Sequence, residues 1–363
     1  MAIELALSAP PGNQPGTRVL IERGLFARLP ALLGEHIGAK EHIVIADAGV
    51  LRLWRGSLTL DPPCGVVELP DGEAAKTPSV LIDVCRTLVE SGLPRDGYIV
   101  AIGGGATGDL AGLAASLHLR GVPIVQVPTS LVAMVDACLG GKCAINIPEG
   151  KNLIGTFWNP SLMLVDPNLL STLPEVEFRA GLGEVAKYAI GFSMDLLELL
   201  EASGRGSLDV PVVVETCLRL KADVVQRDPF ERHERALLNL GHTTAHALES
   251  WAAEHDERIP HGLAVAVGLR VALDLALQRV TIAEHEHTRA NRLLDRLGLP
   301  AILSDLTART PTRETLAGFL ARDKKVIDGS LRFVLPNALG HSKLVTVDAE
   351  ALADAILERQ SHH

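Results

Sequence analysis

The stretch YIVAIGGGATGDLAGLAASL, residues 98–117, decides the fold class. Tyr98-Ile99-Val100-Ala101-Ile102 is an unbroken apolar run, the pattern of a parallel strand buried on both faces. Gly103-Gly104-Gly105-Ala106-Thr107-Gly108-Asp109 follows at once, and the small residues of Leu110–Leu119 read as a helix. Gly103, Gly105 and Gly108 satisfy G-x-G-x-x-G between a strand and a helix. Glycines there let backbone approach a pyrophosphate, and the helix start offers free N–H groups and the positive end of a dipole. The acid that usually follows about twenty residues downstream is missing. Acids lie upstream instead, at Asp47 and Glu73. The reading is a nucleotide site of non-standard layout, with a plain tight turn as the alternative.

Working outward, apolar runs at 42–47, 66–69, 123–127 and 162–166 read as further strands of one α/β sheet. Asp47 stands at the C-terminal edge of its strand, where open α/β sheets bind ligands; a helix N-cap explains it as well. Glu73 and Lys76 lie in a polar loop that either meets a ribose or phosphate or is simply solvated. Thr129 and Ser130 follow the 123–127 strand. Asp136, the Gly140-Gly141-Lys142 turn and Gly150-Lys151-Asn152 come next. Clustered Gly-Lys turns offer cations beside exposed backbone N–H groups, which suits phosphate or carboxylate.

Beyond residue 175 the periodicity turns helical through about 320, so the expected division is an α/β domain at 1–172 and a mainly helical domain at 173–363. In ALLNLGHTTAHALES, 236–250, His242 and His246 are four apart on one helical face. A metal or ligand would satisfy such a polar stripe; surface or core histidines are the alternative. His261 opens a further apolar run after Pro260. Glu184 and Lys187 are three apart, an intrahelical ion pair or a metal-ligating carboxylate beside a substrate lysine. Lys221 lies among Leu218, Val224 and Val225, and Arg235 is placed at the start of the histidine-bearing helix. Leu331–Pro336 looks like a returning strand.

Composition narrows the classes. The 363 residues are 47% apolar and 21% charged, a globular balance with room for two cores. Aromatics are only 3%, so those cores must be aliphatic. A net charge of −10 argues against nucleic acid as a partner. No apolar run is free enough of charge to span a bilayer, and the N-terminus lacks a signal-peptide pattern. Five cysteines form no C-x-x-C pair, which fits reduced thiols in a cytoplasm. The terminal Ser361-His362-His363 is given no role.

From about Asp47 to Val347 the chain resembles the 3-dehydroquinate synthase family of sugar-phosphate cyclases. The matching strings are GGGATGDLAG (103–112), RGVPIVQVPTSLVAMVDACLGGKCAIN (120–146), GKNLIG (150–155), GLGEVAKY (181–188), RALLNLGHTTAHALE (235–249), HGLAVAVG (261–268) and DKK (323–325). Their order and spacing are far more specific than any one motif. The resemblance implies a Rossmann-like α/β NAD domain, an all-α metal domain and an active site in the cleft between them. It implies zinc or cobalt on Glu184, His242 and His261, with His246 turned to substrate rather than to metal. Lys142, Lys187, Lys221, Arg235, Asn239 and His246 are the implied catalytic set. Asp136, Lys151, Asn152 and Lys324 or Lys325 are implied substrate contacts. Arg120 is implied to reach a phosphate across a homodimer interface. NAD would meet Asp47, Glu73, Lys76, Gly104, Gly105, Asp109, Thr129 and Ser130, with Lys142 and Lys151 close to it.

The implied reaction turns 3-deoxy-D-arabino-heptulosonate 7-phosphate into 3-dehydroquinate, the second step of the shikimate pathway. Departures from the family pattern are Gly183 for a common Ala, Leu263 for a common Glu, and Cys138 and Cys143 for hydroxyl residues. The alternatives are a cyclase for another sugar phosphate, a metal-dependent polyol dehydrogenase, and a non-catalytic paralogue.

Overall fold

The computed structural model describes residues 3–10, 15–57, 64–203, 205–321, 326–327 and 330–361. The chain forms two compact units, one of residues 1–174 and 210–230, the other of 175–209 and 231–363.

The first unit is built on a seven-stranded sheet. In chain order it holds β1 (Ile3–Leu7), β2 (Thr17–Ile21), α1 (Leu29–His36), β3 (His42–Asp47), α2 (Ala48–Trp54), β4 (Cys64–Leu69), α3 (Pro78–Glu90), β5 (Tyr98–Gly103), α4 (Gly105–Leu117), β6 (Ile124–Pro128), β7 (Lys142–Ile147), β8 (Gly150–Phe157) and β9 (Leu162–Val165). The strand order is β1-β2-β9-β6-β5-β3-β4, parallel except for β1 against β2. All six residues of β5 are buried, as a strand covered on both faces requires. β3 leads outward to β4, while β5 leads the other way to β6. The crevice between the C-terminal ends of β3 and β5 is therefore the switch point at which such sheets bind ligands.

β7 and β8 form a separate antiparallel hairpin that packs on α4. The Gly-Lys turns of the sequence thus open the two strands of one hairpin. A Cβ on Gly112 would collide with Cys143 Sγ, and one on Gly108 would stand 3.1 Å from Cys138 Sγ. The two thiols fill space that glycines leave on α4. Cys85, Cys138, Cys143 and Cys217 form no disulfide.

The second unit holds α5 (Glu175–Phe192), α6 (Met194–Ser203), α8 (His242–Ala253), α9 (His261–Gln278), α10 (Glu284–Arg296), α11 (Arg313–Ala321), β10 (Val326–Ile327), β11 (Ser330–Ala338), β12 (His341–Val347) and α12 (Ala349–Ser361). Between α6 and α8 the chain supplies α7 (Val210–Arg227) to the first unit, where it packs on β1 and on the turn around Asp136. The single helical domain expected at 173–363 is thus corrected at α7, whose Val213, Val214, Cys217 and Leu218 are buried there. The unit is helix-rich rather than all-α. The returning strand of the sequence reading is the centre of an antiparallel β10-β11-β12 sheet. β12 leaves no apolar signature in the sequence, because its HSKLVTV is mostly polar and exposed.

α9 is the centre of this unit. It is long and apolar enough to cross a membrane by composition, yet 78% of its apolar window is buried inside the unit. α8 and α5 both pack on it closely. A Cβ on Gly262 would overlap the carbonyl oxygen of Ala180, and one on Gly183 that of Gly262. The departure at Gly183 is thereby accounted for: here α5 and α9 touch backbone to backbone. Gly268 sits as tightly against the carbonyl of Gly241. Gly241 has φ +79°, a left-handed conformation that suits glycine, and it separates a 3₁₀ turn at Glu234–Asn239 from α8. The continuous helix expected over 236–250 is corrected here, and Arg235 lies in the turn rather than at the start of α8.

Gly262→Ala should lower the stability of this unit by about 2 kcal/mol or more, because backbone rather than side chain must yield. Gly318→Ala, facing open space within α11, should raise it by about 0.5–1 kcal/mol. Denaturant unfolding of both variants checks the contrast.

Candidate metal and nucleotide sites

In the second unit, three side chains from three helices converge. Glu184 comes from the buried middle of α5, His242 from the first position of α8 and His261 from the first position of α9. Glu184 Oε1 lies 3.5 Å from His242 Nε2 and 3.2 Å from His261 Nε2. One ligand atom from each falls within 4.8 Å of the others, the spacing a single cation needs. Two imidazoles and a carboxylate are a donor set suited to zinc or cobalt with positions left open. His242 Nδ1 faces the Leu240 carbonyl at 3.2 Å, and His261 Nδ1 faces Glu249 Oε2 at 3.0 Å. Burial alone would favour neutral His261, but Glu249 and Glu184 together outweigh it and push its pKa up to about 10. The surroundings therefore favour positive charge.

The two sequence readings of Glu184 and Lys187 are compatible. Lys187 Nζ lies 2.8 Å from Glu184 Oε2, and both side chains are almost fully buried. The pair is an intrahelical ion pair and also one edge of the cluster. His246 stacks near His261, with ring centroids 6.0 Å apart. Arg235 is buried, and Asn239 Nδ2 donates to Glu231 Oε1 at 2.8 Å.

In the first unit, the C-terminal strand ends collect the expected nucleotide residues. Gly103 pairs with Pro128 across β5 and β6, which puts Gly104 and Gly105 beside Thr129 and Ser130. Thr129 N donates to the Gly103 carbonyl at 2.9 Å. Gly104 is the N-cap of α4 and itself offers no side chain to cap the helix. Asp47 ends β3, the strand beside β5, which is the neighbouring-strand place of the acid missing downstream. Its carboxylate accepts from Val50 N at 3.1 Å and Gly72 N at 3.0 Å, so it does act as an N-cap.

Lys76 gathers several other residues. Its ammonium donates to Asp109 at 2.6 Å and to Asn152 Oδ1 at 2.5 Å, with Glu73 at 3.9 Å. Burial opposes its charge, but Asp109 and Glu73 hold its pKa above the usual lysine value. Lys221, from α7, donates to the carbonyl of Asp136 at 2.7 Å and to its carboxylate. Lys142 and Lys151 are exposed on the β7–β8 hairpin, and Arg120 is exposed with φ +68°. Lys324 and Lys325 lie outside the described residues.

Two residues in these sites escaped the sequence reading. Asn146 donates to Glu73 Oε1 at 2.7 Å and accepts from Asn152 N at 2.9 Å, so it binds loop to hairpin; nothing in the sequence signals this. Glu249 was legible, because 242, 246 and 249 share one helical face.

A family model described as 3-dehydroquinate synthase N-terminal matches residues 66–180, and one described as 3-dehydroquinate synthase C-terminal matches 181–326. The chain belongs to the 3-dehydroquinate synthase family. A 3-dehydroquinate synthase of Rhizobium johnstonii is 40% identical over 355 residues, covering 95% of this chain and 94% of that protein. Among solved structures, a 2-epi-5-epi-valiolone synthase from Streptomyces hygroscopicus subsp. jinggangensis with NAD⁺ and Zn²⁺ bound superposes with TM-score 0.84. It is 27% identical and covers 98% of this chain and 99% of its own. A 2-deoxy-scyllo-inosose synthase complexed with carbaglucose-6-phosphate, NAD⁺ and Co²⁺ gives TM-score 0.85 at 24% identity, with 98% and 100% covered, and shares the fold. The 3-dehydroquinate synthase family match spans both units, including α7.

Asp109→Ala should leave the Lys76 ammonium buried without its closest anion. The expected cost is about 3 kcal/mol, seen as an earlier denaturant midpoint, with Asp109→Asn losing less.

Proposed function

We propose that the chain converts 3-deoxy-D-arabino-heptulosonate 7-phosphate into 3-dehydroquinate and phosphate. The observation that carries this is the convergence of Glu184, His242 and His261 in a chain matched by the synthase family over 66–326. In this reading those three residues hold a divalent metal. The glycine turn, Asp47, Glu73, Lys76, Asp109, Thr129 and Ser130 hold NAD. When bound, NAD supplies a transient oxidation and its reversal, and the metal polarises a substrate oxygen so that a neighbouring C–H becomes acidic.

The chain's own residues then bind and orient. Lys142, Lys151, Asn152, Lys187, Lys221, Arg235 and Asn239 are suited to the phosphate and carboxylate, with His246 beside the reacting hydroxyls. Arginine offers a planar fork to an anion, and lysines offer compact charges. Buried Lys187 and Arg235 are held in one position by their surroundings, so little reorganisation is needed when an anion arrives. The departing phosphate itself serves as the base for elimination. Asp136 orients Lys221, and Asp109 orients Lys76.

We propose further that the chain works as a homodimer. Leu117 and Leu119 are exposed at 54% and 43% beside Arg120, an apolar edge around a cation in a turn of positive φ. Leu119→Asp should shift the species seen by light scattering from dimer to monomer, with Arg120→Ala keeping the dimer and raising KM.

The test is phosphate release from that substrate with catalytic NAD⁺ and added Zn²⁺ or Co²⁺, with the NADH band followed in the same cuvette. The expected result is phosphate without NADH build-up, abolished by a chelator and restored by metal. Steady NADH accumulation would mark a dehydrogenase. Turnover only with a sugar phosphate lacking the carboxylate would mark a different cyclase.

A further inference from the structure

We infer that Glu249 is the positioning residue of this metal site: it fixes the ring and tautomer of His261 and ties α8 to α9 at the ligands. The inference rests on the metal-site reading above and goes beyond it to a residue that does not touch the metal.

Glu249 is 7% exposed, and a buried carboxylate is costly unless it is hydrogen-bonded or paired. Its Oε2 stands 3.0 Å from His261 Nδ1, while the other ring nitrogen of His261 faces Glu184 Oε1 at 3.2 Å. A proton on Nδ1 donated to Glu249 leaves the Nε2 lone pair directed at the point Glu184 and His242 share. On His242, Nδ1 faces the backbone carbonyl of Leu240 at 3.2 Å. On His261 the group behind the ring is a carboxylate, which makes the imidazole a stronger ligand. Leu263, two residues beyond, is buried and apolar, so it supplies no acceptor.

The helix geometry makes the contact more than local. Glu249 and His242 belong to α8, whereas His261 begins α9. Residues 242, 246 and 249 follow four- and three-residue steps, so one face of α8 carries a ligand, a substrate-side imidazole and the orienting carboxylate. Without the Glu249 contact, His261, whose side chain is 34% exposed, would lose one of the two carboxylates that hold its ring and keep Glu184.

One rival arrangement exists. His246, Glu249 and His261 also offer three ligand atoms within 4.8 Å of one another, which would make Glu249 a ligand of a second cation. Metal stoichiometry separates the two.

The experiment uses the full chain as wild type, Glu249→Gln, Glu249→Ala and His242→Ala. Zn²⁺ is counted by elemental analysis, its Kd is measured by competition with a chromophoric chelator, and the visible spectrum is recorded with Co²⁺. Circular dichroism confirms folding, and Glu249→Gln, which keeps shape and an acceptor oxygen, covers the case in which Glu249→Ala does not fold. The expected result is one zinc per wild-type chain, with affinity about 10–100-fold weaker in Glu249→Ala and partly recovered in Glu249→Gln. The cobalt spectrum should shift in both variants. Affinities within twofold of wild type in both would overturn the inference while leaving the metal site intact. Two zinc ions per wild-type chain, one of them lost in Glu249→Ala, would also overturn it and make Glu249 a ligand. No tight zinc in wild type, with His242→Ala indistinguishable, would sink the metal-site reading itself.

Discussion

Everything in the second unit depends on how closely its helices approach α9. Ridges of side chains ordinarily keep helix axes 8–10 Å apart. Here backbone meets backbone at Gly262 with Ala180 and Gly183, and again at Gly268 with Gly241. Each of these contacts adjoins a member of the candidate metal cluster: Gly183 precedes Glu184, Gly241 precedes His242, and Gly262 follows His261. Small residues at the crossings are what allow a short carboxylate and two short imidazoles to converge. Larger residues there would separate the three ligand atoms by more than one cation can bridge.

The first unit solves a different problem with different physics. The residues proposed for a nucleotide and for anions sit at strand ends and on a hairpin. Charge is kept there by pairing: Lys76 with Asp109, Lys221 with Asp136. Both lysines are buried, and each has a carboxylate within contact. Such pairs add little net stability against apolar replacements, but they point a cation in one direction. In the proposed anion site that direction would matter more than the energy.

Much of this was legible in the sequence. The β5–α4 run, the strand ends and the helical second half follow from apolar periodicity, which burial enforces strongly. The metal cluster was legible only in part. H-x-x-x-H marks one helical face, yet it offered His246 as readily as His242. Resemblance to the synthase family, rather than spacing, chose His261 and Glu184. What could not be read was tertiary. The left-handed turn at Gly241 looks like helix by pattern, since leucines recur on both sides. β12 carries no alternating apolar pattern. α7 reads as one more amphipathic helix, and no local property says which core it joins.

That last helix has a consequence for how the molecule is made. The first 174 residues are synthesised before Val210–Phe230, so Asp136 must wait for Lys221 and β1 for the apolar face of α7. Neither unit is one continuous piece of chain. The β-sheet can form early, but its final form is reached only after α5 and α6, members of the other unit, have been synthesised. Synthesis order thus couples the two cores in time, and a gene cut between 174 and 175 would yield a first half permanently short of one helix.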